Sequence, residues 1–347
     1  MTDAPHRPTL ENAVAVMALP SAAWRDMAMN AEGGRETHDR LLADAACMGE
    51  IELRQPDIVA EAPTTITVAA WNLERCKHVG PSANVLRASG ADVALLTEMD
   101  LGMARSGNRH TTADLAADRG MGYAFGVEFV ELGLGDLREQ ADHAGEANAA
   151  GLHGNAIASR FAIDRALVLP LDRGGLWYAA DGPRDQRRIG GRMAVAVRHL
   201  LPRPVWFVAV HYESSLGPAD RAVETENLLA QVEAACGDEP VLIAGDFNCR
   251  GMCDAGVTGS AVLDYPETIE PMFARFANAG FDWRQCNSPA VTTRLHPYED
   301  PALPLKKIDW FFARGLTCFD PWTHAALGPD GTVLSDHEPI SVTVALP

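Results

Sequence analysis

The ten residues from Val241 to Arg250, VLIAGDFNCR, carry four apolar side chains into Gly245 and then present Asp246, Phe247 and Asn248. An apolar run closed by glycine reads as a buried strand ending in a tight turn. Side chains alternate along a strand, so Asp246 and Asn248 fall on the same side at its carboxyl end. A carboxylate beside a carboxamide at such a rim suits a metal ion or an activated water. In isolation the same pattern is equally an Asx-rich turn that closes the strand.

Other strand-like runs end in the same chemistry. The run Ile66 to Leu73 (ITVAAWNL) delivers Asn72 and is followed by Glu74, and Asp92 to Glu98 (DVALLTE) leads into Glu98. The run Val205 to Glu213 (VWFVAVHYE) delivers His211, while KIDWFF at 307–312 and SDHE at 335–338 add Asp309, Asp336 and His337. A lone polar group at a strand end is more often a satisfied core or turn residue. Recurrence in order separates this chain from that reading.

Taken in order, WNLE, LLTE, GNAIASR, VAVHYES, GDFN, KIDWFF and SDHEPI resemble the endonuclease/exonuclease/phosphatase superfamily of magnesium-dependent phosphoesterases, from about Thr64 to the C-terminus. GDFN and SDH together carry most of the specificity. The resemblance implies an α/β fold, a four-layer α/β/β/α sandwich of two packed mixed sheets flanked by helices. It also implies a metal-dependent hydrolase of phosphoester bonds, with a phosphodiesterase (a nuclease, or one acting on a small molecule or lipid headgroup) favoured over a monoesterase.

Phosphate esters are anionic, so attack by water needs their charge neutralised, the water activated and the leaving oxygen stabilised. On the matching positions, Glu98 would bind Mg2+, with Mn2+ as a substitute, and Asn72 and Asp336 would help to hold it. Asp246 would orient and deprotonate the water, and Asn248 would hydrogen-bond the phosphoryl oxygen or that water. His337 would donate to the phosphoryl group while Asp309 accepts from its other ring nitrogen. His211, where the resemblance is to pancreatic-type deoxyribonucleases and sphingomyelinases, would be a second donor or protonate the leaving oxygen. Asn155 of GNAIASR, with Arg187 and Arg188 of an arginine-rich stretch between Arg165 and Arg192, are the expected substrate contacts, because arginine offers phosphate a bidentate fork. A solvated loop explains the arginines equally well.

Composition bounds the rest. A chain of 347 residues, 47% hydrophobic, can bury one large core. The expected division is a catalytic domain at 64–347 behind a partly helical extension at 1–63, helical around 22–29 and 35–46 and extended over 56–63. Strands are expected at 66–72, 92–98, 123–130, 155–159, 163–169, 192–199, 205–212, 241–246, 307–313 and 339–345. Helices are expected at 81–89, 112–119, 219–235 and 268–279, and the glycine-rich stretch 131–153 reads as a long mobile loop.

Acidic residues outnumber basic ones by 47 to 29, a net charge of −18, which lowers the expectation of a sequence-tolerant nuclease. Nucleic acid, a phospholipid headgroup and a small soluble phosphoester all stay open as substrates. Seven scattered cysteines suit reduced thiols. No run approaches the roughly 20 apolar residues of a membrane span, and no basic leader precedes an apolar stretch, so a cytoplasmic protein is expected. The alternative from a different class is a catalytically silent family member acting as a phosphate-ligand-binding or interaction module. Silence would show as loss of the metal carboxylate, the GDFN pair or the final histidine, and all three are intact.

Overall fold

Parity along one strand sets the layering. In β10 (Arg203–His211), Val205, Phe207 and Ala209 enter one apolar cluster while Trp206, Val208 and Val210 enter another. A strand buried on both faces needs a second layer on each side. The computed structural model describes residues 7–178 and 186–346 and supplies those layers.

With strands numbered along the chain, the first sheet runs in space β1 (Ala13–Val14), β2 (Ile51–Arg54), β5 (Gly122–Glu131), β6 (Leu152–Ser159), β4 (Val93–Leu101), β3 (Thr65–Arg75), β14 (Ile340–Ala345) and β13 (Thr317–Thr323), with β8 (Arg188–Gly190) paired to β5. The second runs β12 (Asp309–Arg314), β11 (Val241–Asp246), β10, β9 (Met193–Leu201) and β7 (Arg165–Pro170). Val68, Leu95 and Ile157 of the first sheet meet Val195, Phe207, Leu242 and Phe311 of the second. Outside the first sheet lie α1 (Ala22–Asn30), α2 (Arg35–Asp44), α3 (Val79–Ala88) and α4 (Thr111–Arg119), whose Leu41, Leu86 and Leu115 cover Trp71, Leu96 and Phe125. A short α5 (Leu137–Asp142) follows β5. The second sheet is covered by α6 (Pro218–Cys236) and, after the single turns α7 (Gly251–Asp254) and α8 (Ala261–Asp264), by α9 (Met272–Asn278). There Phe273 and Phe276 pack on Trp310 and Phe312. The result is the expected four-layer α/β/β/α sandwich.

Three findings depart from the sequence reading. The segment before residue 64 contributes β2, which pairs antiparallel with β5 and places Ile51 opposite Gly126. Its Glu52 accepts hydrogen bonds from the Tyr123 hydroxyl and the Met17 N–H, both at 2.6 Å. The stretch expected as a mobile loop is pinned at both ends. Asp136 and Glu139 form a capping box at the start of α5, and Asn148 Oδ1 accepts from the Ala104 N–H at 2.9 Å. Arg25 from α1 donates to the Asn148 and Ala150 carbonyls. Finally, β13 contains Pro321 and a register shift between Phe319 and Trp322, as suits an edge strand.

Strand direction builds the functional rim. β10 and β11 are parallel, as are β3 and β4, so four carboxyl ends collect at one edge of the sandwich. Gly245 permits the tight pairing there. At its φ of 145°, a Cβ would lie 2.0 Å from the Val210 carbonyl oxygen.

Candidate active site

Asp246 ends β11 with His211 and Asp309 opposite it on the two flanking strands. Only 2% exposed, it is ringed by polar atoms. Its Oδ1 accepts from the Asn248 N–H at 2.8 Å, and its Oδ2 accepts from the side-chain amides of Asn72 and Asn248, each at 3.3 Å. His337 Nε2 lies 3.6 Å and His211 Nε2 3.8 Å from the same Oδ2. Asn248 has a left-handed φ of 49°, and its amide also donates to the Tyr212 carbonyl at 2.9 Å. Burial, with Asp309 reinforcing it and the two histidines opposing, raises the Asp246 carboxyl above its ordinary value.

His337 is fixed from the other side. Its Nδ1 donates to Asp309 Oδ2 at 2.9 Å. The Ser335 hydroxyl donates to the Asn72 carbonyl at 2.6 Å and accepts from the His337 N–H, while the Trp71 indole donates to the His337 carbonyl. These bonds fasten the SDH turn to β3. Although burial disfavours imidazolium, Asp309, Asp246 and Asp336 hold His337 well above the usual histidine value.

Glu98 stands at a bulge of β4, with φ of 56°. Its Oε1 accepts from the Asn72 amide at 3.2 Å and lies 3.9 Å from His211 Nε2, while its Oε2 pairs with the Arg75 guanidinium. Against burial, which would raise it, Arg75 and the nearby histidines hold the Glu98 carboxyl well below the usual range. Arg75 sits between Glu74 and Cys76, and all three have left-handed φ (43°, 73° and 53°), a concentration of backbone strain beside the rim. Glu74 accepts from the Asp336 N–H at 3.1 Å and from His296 at 2.8 Å. Burial, together with Glu74 and Glu98, pushes Asp336 up to about 6.

A divalent cation fits this donor set. Asp246, Asp309 and His337 each offer a ligand atom, all within 4.8 Å of one another, and Asp309 Oδ1 is buried without a hydrogen-bond partner. On the Glu98 side, Asp336 and Glu74 lie near the same carboxylate, and burial is the main reason the Asp336 carboxyl is raised.

Asn72, Glu98, His211, Asp246, Asn248, Asp309 and His337 therefore come together, with Asp336 alongside. The three expected substrate contacts do not join them as free groups. The Asn155 side chain is fully buried, donating to the Met193 carbonyl at 3.0 Å. Arg187 donates to the Met29 and Ala31 carbonyls at the end of α1, and Arg188 is buried against Glu131 at 3.0 Å. Unpaired helix-end carbonyls and a buried carboxylate use these guanidiniums in place of phosphate. Arg184 of the same stretch lies outside the described residues.

Sequence reasoning missed the support behind His211. Arg192 pairs with Glu128 and with Glu213, the latter at 3.0 Å, and His211 Nδ1 lies 3.0 Å from Arg192 Nη1 and 3.3 Å from Glu128 Oε2. Opposing the effect of burial, Arg192 and His211 hold Glu128 down to about 2. The signal was present in GVEFVE, where an acid interrupts an otherwise apolar strand and so needs a buried partner. Thr292 was also passed over. Its hydroxyl accepts from the Ile308 and Asp309 N–H groups and so sets the start of β12.

The layers and the rim place the chain among the α/β/β/α sandwich proteins. More narrowly, it belongs to the endonuclease/exonuclease/phosphatase family, whose model matches residues 69–337 and whose members are generally hydrolases of phosphoester bonds. Among solved structures it is similar to an endonuclease/exonuclease/phosphatase from Beutenbergia cavernae DSM 12333, at 21% identity over 82% of this chain and 72% of that one, with a TM-score of 0.53. A functionally unknown conserved protein from Enterococcus faecalis V583 aligns at 14% identity over 81% of this chain and 100% of that one, with a TM-score of 0.54. A humanized D. rerio TDP2 with 14 mutations aligns at 14% identity over 82% and 100%, with a TM-score of 0.50. At these identities the likeness speaks to the fold. No curated protein sequence matches the chain.

Proposed function

We propose that this protein hydrolyses phosphodiester bonds by direct attack of water, with Asp246 as the base. The observation that carries the reading is the convergence of two imidazoles and two carboxamides on one buried aspartate whose carboxyl is raised toward neutrality. A raised carboxylate takes a proton from water more readily than an ordinary one. His337, kept cationic by Asp309, faces the phosphoryl oxygen as a charged donor, and Asn248 holds the attacking water or the same oxygen. His211, backed by Arg192 and Glu128, would protonate the leaving oxygen. Glu98, with Asn72 and Asp336, would hold Mg2+, which supplies charge neutralisation of the phosphate when bound.

Substrate choice follows from charge. A net −18, with Arg187 and Arg188 engaged inside the protein, favours a small or headgroup phosphodiester over extended nucleic acid. Among the described residues no helix is long and apolar enough to cross a membrane, and we place the reaction in the cytoplasm. The test is turnover of bis-p-nitrophenyl phosphate, p-nitrophenyl phosphate, plasmid DNA and sphingomyelin, each with Mg2+, Mn2+ or EDTA. Diester hydrolysis that EDTA abolishes is expected. Absence of metal-dependent turnover on all four would overturn the reading.

A further inference from the structure

Helix α6 carries a buried glutamate that the rest of the protein leaves unanswered. Glu224 is 6% exposed, and neither of its carboxyl oxygens has a hydrogen-bond partner. Other buried acids are matched: Glu213 by Arg192 and Trp177, Glu270 by Arg221, Asp100 by Arg105. An unanswered buried carboxyl is destabilising, so its presence points to a partner from outside the chain.

Glu224 lines a cavity of about 340 Å³, within the size range of ligand pockets. Its apolar wall is Leu171, Leu176, Leu216 and Val223, and Leu176 and Val223 are 50% and 60% exposed at the mouth. The remaining charge is chiefly negative, from Asp172, Glu213 and Asp220, with Arg173 exposed at the rim. That charge disfavours an anion. A divalent ion needs several converging ligand atoms, and among the described residues the only such group is Asp246, Asp309 and His337. A purely apolar guest would leave the carboxyl unanswered. An organic cation with a short apolar chain satisfies both the acid and the wall.

We propose that this cavity binds a small aliphatic ammonium, its nitrogen on Glu224 and its chain along Leu171, Leu176, Leu216 and Val223. The site stands apart from the catalytic rim, on the far side of the Glu213–Arg192 ion pair whose arginine also touches His211. It does not depend on the phosphoester reading.

Protons give it a signature. Burial, reinforced by Asp172 and Glu213 and opposed by Arg192, holds the Glu224 carboxyl well above its ordinary value, which favours its protonated form in the empty cavity. An arriving ammonium ion ionises the carboxyl and sends that proton to solvent. One positive charge enters and one leaves.

Isothermal titration with hexylammonium chloride near pH 7, in phosphate and in HEPES, tests this because the two buffers differ in heat of ionisation. We expect one saturable site whose heat tracks the buffer, with 1-hexanol binding at least about tenfold more weakly. Glu224→Gln should weaken hexylammonium at least about tenfold and remove the buffer dependence. Val223→Lys, at an exposed position, should block binding by offering its own ammonium at the mouth, and it keeps the test decisive if the first variant fails to fold. No saturable hexylammonium binding, hexanol as tight as hexylammonium, or parental binding in either folded variant would overturn the proposal.

Discussion

As the proposed base, Asp246 would have to be both buried and basic, and burial by itself works against the ionised form. The histidines flanking its Oδ2 resolve that conflict by favouring the ionised form, while Asp309 across the ladder works against it. Asp246→Asn keeps the shape and removes the proton acceptor, so kcat should fall by about three orders of magnitude, within the range of general-base contributions. His337→Ala should cost a comparable factor and Asp309→Asn less. Steady-state kinetics on the best substrate checks this. Retention of more than about a tenth of parental turnover in Asp246→Asn, worth about 1.4 kcal/mol, would remove it as principal base. The pH profile follows from the same two groups with opposite sign. As the proposed base Asp246 would act deprotonated, so activity should be lost as pH falls through a value above that of an ordinary aspartate. As the proposed donor His337 would act protonated, and its value is raised, so kcat/KM should persist through neutrality and fall only well above the usual histidine range. In Asp309→Asn that alkaline limb should move to lower pH, because the carboxylate holding the imidazolium is gone.

At the scale of elements, β2 shows how the N-terminal segment is tied to the sandwich. Glu52 is 4% exposed and accepts from Tyr123, the Met17 N–H and, at 3.2 Å, His110. Burial would raise its carboxyl, yet His110, Tyr123 and Met17 together lower it to about 2. A depressed folded-state value gives stability that is present above the ordinary glutamate value and is lost as pH falls toward about 2. The shift corresponds to roughly 3 kcal/mol. Glu52→Gln should therefore unfold at lower urea concentration at neutral pH and lose less stability than the parent on acidification, as chemical denaturation across that window would show. Equal acid sensitivity in both proteins would contradict it.

β2 also marks where the sequence stopped being readable. The inner strands were legible because runs such as VLIAGD and VWFVAVH are apolar on both parities and bounded by turn residues. IELR is short and half polar, and TCFDPWT holds a proline. Each becomes a strand because an existing edge accepts it, a tertiary cause that no local pattern displays. Asn72, Glu98, His211 and Asp246 were legible because they lie at the carboxyl ends of such runs, and Asp309 and His337 because they stand where the next runs begin. Arg187 and Arg188 were misjudged because charge does not tell where a guanidinium points, and the Glu128–Arg192 pair was hidden by a separation of 64 positions.

The whole molecule meets at the rim. Asn72 and Glu98 come from the first sheet, His211, Asp246 and Asp309 from the second, and His337 from the turn leading back into β14. An ion held by groups on both sheets binds only the assembled sandwich, so metal affinity converts directly into global stability. At a hundredfold excess over its Kd, Mg2+ should add about 2.7 kcal/mol, which for a chain of this length raises Tm by about 4 °C. Thermal unfolding followed with MgCl2 and with EDTA measures the difference. Glu98→Gln also loses its pairing with Arg75, and its own baseline should drop, so the informative quantity is the metal-induced shift within each variant. That shift should shrink in Glu98→Gln and stay at the parental size in Arg187→Ala, whose contacts are with the Met29 and Ala31 carbonyls. If Glu98→Gln shows the full parental shift, the ion is held without Glu98, and the cluster of Asp246, Asp309 and His337 becomes its site instead.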